Sequence, residues 1–418
     1  MSSTLQRGPS STFVPDLEIK LTATEADVAI LPGAPTRVWT YQADVLAGDP
    51  RSVQRLSDSY PGPIIRARRG QKVRVFFQNN LPDQPSIVHW HGLKLPEDMD
   101  GHPRYAIQPG ETYVYEFTVN DRAGTYWFHP HPDMQTGRQV NGGLAGLFLV
   151  SDDEEAAAGL PSGAEDIALV IQDRTFDHDN QLVYAAGNAM DGSMDYLMGF
   201  LGERVLVNGR PDAVLEVATR AYRLRLLNGS NARTYKLAWN DGAPLTVIAT
   251  DGGLLERPVE RAYVTLAPGE RVELWADFRS LRAGTELTLQ SLAFEGAEGP
   301  DMQPDSSSAS GQHLGMSHGG GHHMGSPMAE SHVGHDMAGQ VTESHGGHAM
   351  GGHAGHHMDD MASAPAAPAL GAAMQILTVR VTEQVQTSDD RLPAVLSRIE
   401  RYQLADAVNH DRPRAFVL

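Results

Sequence analysis

Two short segments in the first third of this 418-residue chain, His89-Trp90-His91-Gly92 and Trp127-Phe128-His129-Pro130-His131-Pro132, repeat one spacing, His-x-His. On a β-strand, residues i and i+2 project to the same face, so each pair can aim both imidazoles at one point, and two pairs can gather four. Imidazole is a ligand for copper, zinc, iron and nickel, so the donor set by itself leaves the metal open. The competing readings are an accidental surface or core pairing, which suits one isolated His-x-His, and a closed structural zinc site of four histidines. Structural zinc usually recruits thiolates, and the chain has no cysteine. That absence removes disulfides, thiolate metal sites and thiol nucleophiles together, and it leaves the redox compartment undecided. Any bound metal must use His, Met, carboxylate or backbone oxygen.

Short strands must position these residues. Val73-Arg74-Val75-Phe76-Phe77, Tyr113-Val114-Tyr115-Glu116-Phe117 and Tyr222-Arg223-Leu224-Arg225-Leu226-Leu227 are rich in β-branched, aromatic and alternating positions and are bounded by turn formers. With 42 Gly and 26 Pro and few long amphipathic stretches, the composition favours an all-β protein over helix bundles. The length calls for two or three domains. An internal repeat divides them. The strand at Val73–Phe76, followed by Asn79-Asn80, resembles Leu224–Leu227, followed by Asn228, and Pro109-Gly110-Glu111 before one alternating strand matches Pro268-Gly269-Glu270 before another. The spacing predicts a flexible N-terminus over 1–12 and two related Greek-key sandwiches over 13–155 and 163–295. Thirty-three basic against 52 acidic side chains give a net charge of −19, which repels phosphate and anionic lipid and argues against nucleic acid as a partner. No apolar run reaches the roughly 18 residues of a membrane helix, and no secretory signal is visible at the start.

Residues 301–370 differ from everything around them. They contain no Lys, Arg, Phe, Trp or Tyr, yet hold 11 of the 18 histidines and eight of the 15 methionines. Such a composition cannot build a core, so the stretch is expected to be disordered. Thioether prefers Cu(I), imidazole takes either oxidation state of copper, and no cationic side chain competes. Met316, His318, His322, His323, Met324, His335, Met337, His348, Met350, His356, His357 and Met358 are therefore candidates for a low-affinity copper segment, against the plain alternative of a flexible linker. Gln375 to Val381 reads as a strand again, and 371–418 is expected to begin an incomplete third domain.

The order His89-Trp90-His91-Gly92-Leu93, Glu97-Asp98-Met99-Asp100-Gly101, Pro109-Gly110-Glu111, Gly124-Thr125-Tyr126-Trp127-Phe128-His129-Pro130-His131 and Gly142-Gly143-Leu144-Ala145-Gly146 resembles the first cupredoxin domain of multicopper oxidases. The resemblance continues through Val207-Asn208-Gly209, Arg225 to Asn228 and Asp251-Gly252-Gly253, which look like the family's second domain. The bacterial laccase-like, cuprous-oxidase and bilirubin-oxidase-like branch is the nearest.

The resemblance implies tandem cupredoxin-like sandwiches and a copper cofactor, with His89 on the type 2 copper, His91 and His129 sharing one type 3 copper and His131 on the other. These would be half of the histidines of a trinuclear, oxygen-reducing cluster. In the family, the rest, with the thiolate of the type 1 copper, come from a third domain. Blue copper needs a thiolate with two imidazoles, so a chain without cysteine cannot assemble that site alone. Asp100 matches an acidic residue that passes protons to the oxygen site, and an Asp-Gly turn residue is the alternative. The resemblance implies oxidation of Cu(I) or small phenols coupled to reduction of oxygen to water, in a periplasmic or extracellular protein, and a chain that is the N-terminal two-thirds of its parent and inactive alone. A non-catalytic copper-sequestering protein is the second reading. His102, His178 and His410 fall outside the repeated spacing and read as solvated or capping side chains.

Overall fold

The structure, a computed structural model, describes residues 8–56, 59–184, 199–295, 367–385, 390–412 and 414. Strands dominate them and form two β-sandwiches. In the first, a four-stranded sheet runs in the order Thr36–Ala47, Leu17–Val28, Lys72–Asn79, Thr112–Thr118. It faces a five-stranded sheet ordered Val53–Gln54, Ile64–Arg68, Gly146–Ser151, Gly124–Pro130, Val88–His91. Period-two alternation makes the core: Val73, Val75 and Phe77 point inward and are fully buried, and meet Trp90, Phe128 and Phe148 from the opposite sheet.

The second sandwich repeats this wiring. Leu17–Val28 pairs parallel with Lys72–Asn79, which pairs antiparallel with Thr112–Thr118. Likewise Asp166–Phe176 pairs parallel with Ala221–Asn228, which pairs antiparallel with Arg271–Asp277. The landmark turns match bond for bond. Asn79 Nδ2 donates to the carbonyls of Gln84 and Ile107, and Asn228 Nδ2 to those of Arg233 and Leu266. Gly110 N donates to the Asn79 carbonyl at 2.7 Å, and Gly269 N to the Asn228 carbonyl at 2.8 Å.

Two expectations need correction. Residues 374–383 do not open a third domain: Met374–Glu383 pairs antiparallel with Glu286–Ser291 and parallel with Val214–Ala218, inside the second sandwich. Gly146–Ser151 holds the equivalent place in the first, antiparallel to Gly124–Pro130 and parallel to Ile64–Arg68. The reason is burial, since Ile376, Leu377, Val379 and Val381 complete the second core. Residues 390–401 form no sheet and cross both sandwiches, with Arg122 donating to Ser397 Oγ at 2.6 Å and the Leu396 amide to the Glu256 carbonyl at 2.9 Å. The His/Met-rich stretch thus enters the chain between two paired strands of the second sandwich rather than after it. Its twelve named His and Met residues lie outside the described residues, although its end is anchored: Arg233 donates to the carbonyls of Pro368 and Ala369. The second correction concerns the start. Residues 1–7 lie outside the described residues, but Ser10 is held, its amide donating to Glu116 at 3.0 Å and its carbonyl accepting from Arg74 at 3.0 Å.

The sandwiches are joined through a buried ionic network. Glu273 accepts from Thr125 Oγ1 of the first sandwich at 2.7 Å and from Arg223 and Arg225 of the second at 2.7 and 3.0 Å. Arg225 also binds Asp166 at 2.5 Å. Burial alone would push the Glu273 carboxyl up, but the two guanidiniums and the Thr125 hydroxyl outweigh it and hold the carboxyl down at about 2.

Candidate metal centre

Val88–His91 and Gly124–Pro130 lie side by side and antiparallel, and their register sets His89 directly opposite His129 and His91 opposite Trp127. Alternation sends Val88, Trp90 and Phe128 into the core, so His89, His91, Trp127 and His129 share the other face. One nitrogen from each of His89, His91 and His129 lies within 4.8 Å of the other two. The tightest approach is His91 Nδ1 to His129 Nε2, 3.3 Å. His131 stands just past the strand end, its amide donating to the Ile87 carbonyl at 2.9 Å. Its ring centroid is 5.5 Å from that of His89 and 6.0 Å from that of His129, beside the three-histidine group.

Hydrogen bonds on the outer nitrogens orient the rings. His89 Nδ1 is 2.7 Å from the Asp100 carbonyl, and His129 Nδ1 is 2.9 Å from the Pro130 carbonyl. A carbonyl only accepts, so both Nδ1 atoms carry hydrogen, and Nε2 is the nitrogen that each ring turns toward the cluster. Trp127 packs its ring 4.2 Å from His129 and 5.0 Å from His91, walling one side. Burial lowers His129 well below the ordinary imidazole range. His91 falls to about 4 through burial and the charges of Arg271, His89 and His131. At neutral pH both rings are uncharged and available as ligands.

The donors fit a transition metal. Nitrogens 3.3 Å apart can share one ion at bond lengths of about 2.0–2.1 Å, as for zinc, and His131 Nδ1 is buried with no hydrogen-bond partner. Neutral, desolvated imidazoles beside an unpartnered ring nitrogen are what a metal site requires and what a hydrogen-bonded core avoids.

Asp100 reaches His89 chiefly through its carbonyl. The carboxylate Oδ1 is 3.5 Å from His89 Nδ1, and the side chain is 44% exposed. His102 Nδ1 accepts the Arg104 amide at the head of a short turn, His178 is exposed beside Asp179, and His410 bonds the Ala407 carbonyl. None of the three joins the cluster. Trp127, Gly269 and Arg271 adjoin the site without having been singled out as functional from sequence. Trp127 stood within the second His-x-His motif and Gly269 within the repeated Pro-Gly-Glu, whereas Arg271 carried no such signal.

The geometry gathers three histidines that could hold a metal ion on one face of a cupredoxin-like sandwich. A family model described as multicopper oxidase matches residues 37–155. The laccase of Bacillus stratosphericus is 35% identical over 304 residues, 65% of this chain and 56% of that protein. The cell division protein FtsP of Escherichia coli is 35% identical over 244 residues, 58% of this chain and 49% of that protein. The crystal structure of the McoA multicopper oxidase from Aquifex aeolicus is similar over 94% of this chain and 68% of that one, with a TM-score of 0.66 and 30% identity. The chain belongs to the multicopper oxidase family. It spans about half the length of the curated relatives it matches. Among the described residues no helix is long and apolar enough to cross a membrane.

Proposed function

We propose that this chain carries half of the oxygen site of a multicopper oxidase that oxidises Cu(I) or small phenols outside the cytoplasm. His89 takes the type 2 copper, His91 and His129 share one type 3 copper, and His131 serves the other. The observation that carries the reading is the convergence of three histidine nitrogens within 4.8 Å on one face of two paired strands. Copper bound there would supply the one-electron couple that joins substrate oxidation to the four-electron reduction of oxygen.

The chain's own residues do three things. The Asp100 and Pro130 carbonyls fix the tautomers of His89 and His129, so that each presents Nε2 inward. Trp127 excludes water from one side of His91 and His129. Asp100, part exposed and 3.5 Å from His89, is placed to take protons from solvent and pass them to the site's edge, which oxygen reduction consumes. Electron entry through a type 1 copper requires a thiolate that this sequence lacks, so the chain alone retains copper without turning over substrate.

Copper sequestration is the second reading, favoured by the 11 histidines and eight methionines within 301–370. The coding sequence beyond the Leu418 codon separates the two. Continuation into a His-x-x-His-x-His segment and a later His-Cys-His segment supports the oxidase, and oxygen uptake by that longer protein should then depend on His91 and His129. A stop codon at that point contradicts it and leaves sequestration.

A further inference from the structure

The two copies of the Pro-Gly-Glu turn are matched in backbone but differ in what they face. Gly110 has φ +85° and Gly269 φ +80°, both left-handed. In each, the glutamate side chain accepts the amide three residues before it, Gln108 N at 2.8 Å for Glu111 and Ala267 N at 2.7 Å for Glu270. A methyl on Gly110 would point into open space. A methyl on Gly269 would lie in van der Waals contact, 3.4 Å from His91 Cε1, 3.9 Å from His91 Nε2 and 3.6 Å from Trp127 Cζ2, so that any atom beyond a Cβ would press on the two rings. The second sandwich therefore reaches the histidine cluster of the first, and it does so at the Cε1–Nε2 edge of the His91 ring, next to the Nδ1 that meets His129.

The next residue but one extends the contact. Arg271 is buried, and its fork is fixed by its own sandwich: Nη1 donates to the Gly269 carbonyl at 3.0 Å and Nη2 to the Asp251 carbonyl at 3.1 Å. Nε crosses to the Thr125 carbonyl of the first sandwich at 3.0 Å. The guanidinium occupies the space left by Gly92, immediately after His91, where a Cβ would stand 2.8 Å from Nη2. A planar, multidentate side chain held on three carbonyls is a rigid peg, which lysine cannot reproduce. The counterpart of Arg271 in the first turn is Thr112, the first residue of its strand, whose short side chain lacks a guanidinium fork.

We infer that Gly269 and Arg271 of the second sandwich are positioning residues of the metal centre: Gly269 leaves room for His91 to turn Nδ1 toward His129, and Arg271 holds the Gly92 end of the His-x-His strand. This rests on the proposal that the cluster binds copper, and it gives the ligand-free sandwich a part in that site.

The repeat provides its own control. Asparagine tolerates left-handed backbone better than other side chains, so Gly269→Asn adds bulk beside His91, and Gly110→Asn adds the same bulk and the same strain in open space. The full chain is loaded with Cu(II) and dialysed against a weak chelator, and copper retention, the Cu(II) electron paramagnetic resonance spectrum and the thermal transition are recorded. Gly269→Asn should weaken copper retention by about tenfold or more, the loss seen when groups supporting a metal ligand are removed, and should change the copper hyperfine splitting. Gly110→Asn should leave both as in the wild type, with a similar thermal transition. Arg271→Lys is the second variant, keeping the charge and losing the fork, and should shift the hyperfine splitting in a folded protein. Copper retention and spectra in Gly269→Asn and Arg271→Lys that match Gly110→Asn overturn the inference alone. A wild-type chain that retains no copper overturns the metal-centre proposal as well.

Discussion

Aligned on Trp90 and Trp239, the two sandwiches place different residues at the same points of the same strands. Val88 pairs with Pro130 and Leu237 with Ser291; one step on, His89 pairs with His129 and Ala238 with Gln290; the next step pairs Trp90 with Phe128 and Trp239 with Leu289. The step after that sets His91 against Trp127, and Asn240 against Thr288, whose carbonyl accepts the Asn240 amide. Inward residues are apolar in both, because both cores need them, with the one exception among these pairs of Ser291, whose hydroxyl accepts the Lys236 amide. Outward residues differ entirely, His89, His91 and His129 against Ala238, Asn240 and Gln290. The scaffold is indifferent to the chemistry, which resides in alternate side chains on one face.

The comparison can first be broken at its shared parts. Trp90→Ala and Trp239→Ala each delete a buried indole and should each cost about 3–5 kcal/mol in urea unfolding. Only Trp90→Ala should also impair copper retention. Equal copper retention in both would detach the site from the strand that carries it.

Glu273→Ala removes the most deeply buried carboxylate shared by Arg223 and Arg225, leaving them Glu155 and Asp166, and should cost about 3–5 kcal/mol. The same group sets a pH dependence. A carboxyl held at about 2 when folded against 4.5 as its ordinary value stabilises the protein fully above the higher figure. That contribution is lost as pH falls from 4.5 toward 2. Urea titrations at several pH values should show this loss in the wild type and a flatter profile in Glu273→Gln. A profile unchanged by the substitution would refute the assignment.

Smaller effects should follow from the matched asparagines. Asn79→Ala and Asn228→Ala each strip a side chain that donates twice and accepts once, from Leu81 N or Ser230 N. Each should cost about 1–3 kcal/mol. A large difference between them would show that the two turns, alike in bonding, are unlike in strain.

Much of this arrangement was legible in the sequence. Strand periodicity marked Val73–Phe77, and His-x-His spacing marked the cluster, because both are local, and the repeated Asn and Pro-Gly-Glu landmarks revealed the duplication. The Gln375–Val381 strand was read correctly as a strand, but its membership was not. Nothing local says which sheet a strand joins across an intervening segment, and the core of the second sandwich decides it. The Arg223, Arg225 and Glu273 network was likewise invisible, since charged residues alternating in a strand usually mark a solvated face. Here they meet another domain. Arg271 was hidden for the same reason, since the Asp251 and Thr125 carbonyls it bonds are far away in the chain.

The most direct measurement uses the protein lacking residues 302–361, with His89→Ala and His129→Gln installing the residues that the second sandwich carries at those points. Copper retained after dialysis should fall to background while the thermal transition moves by only a few degrees, since both positions face out of the core. Copper retention equal to that of the unsubstituted protein would contradict the claim that these histidines form the metal centre.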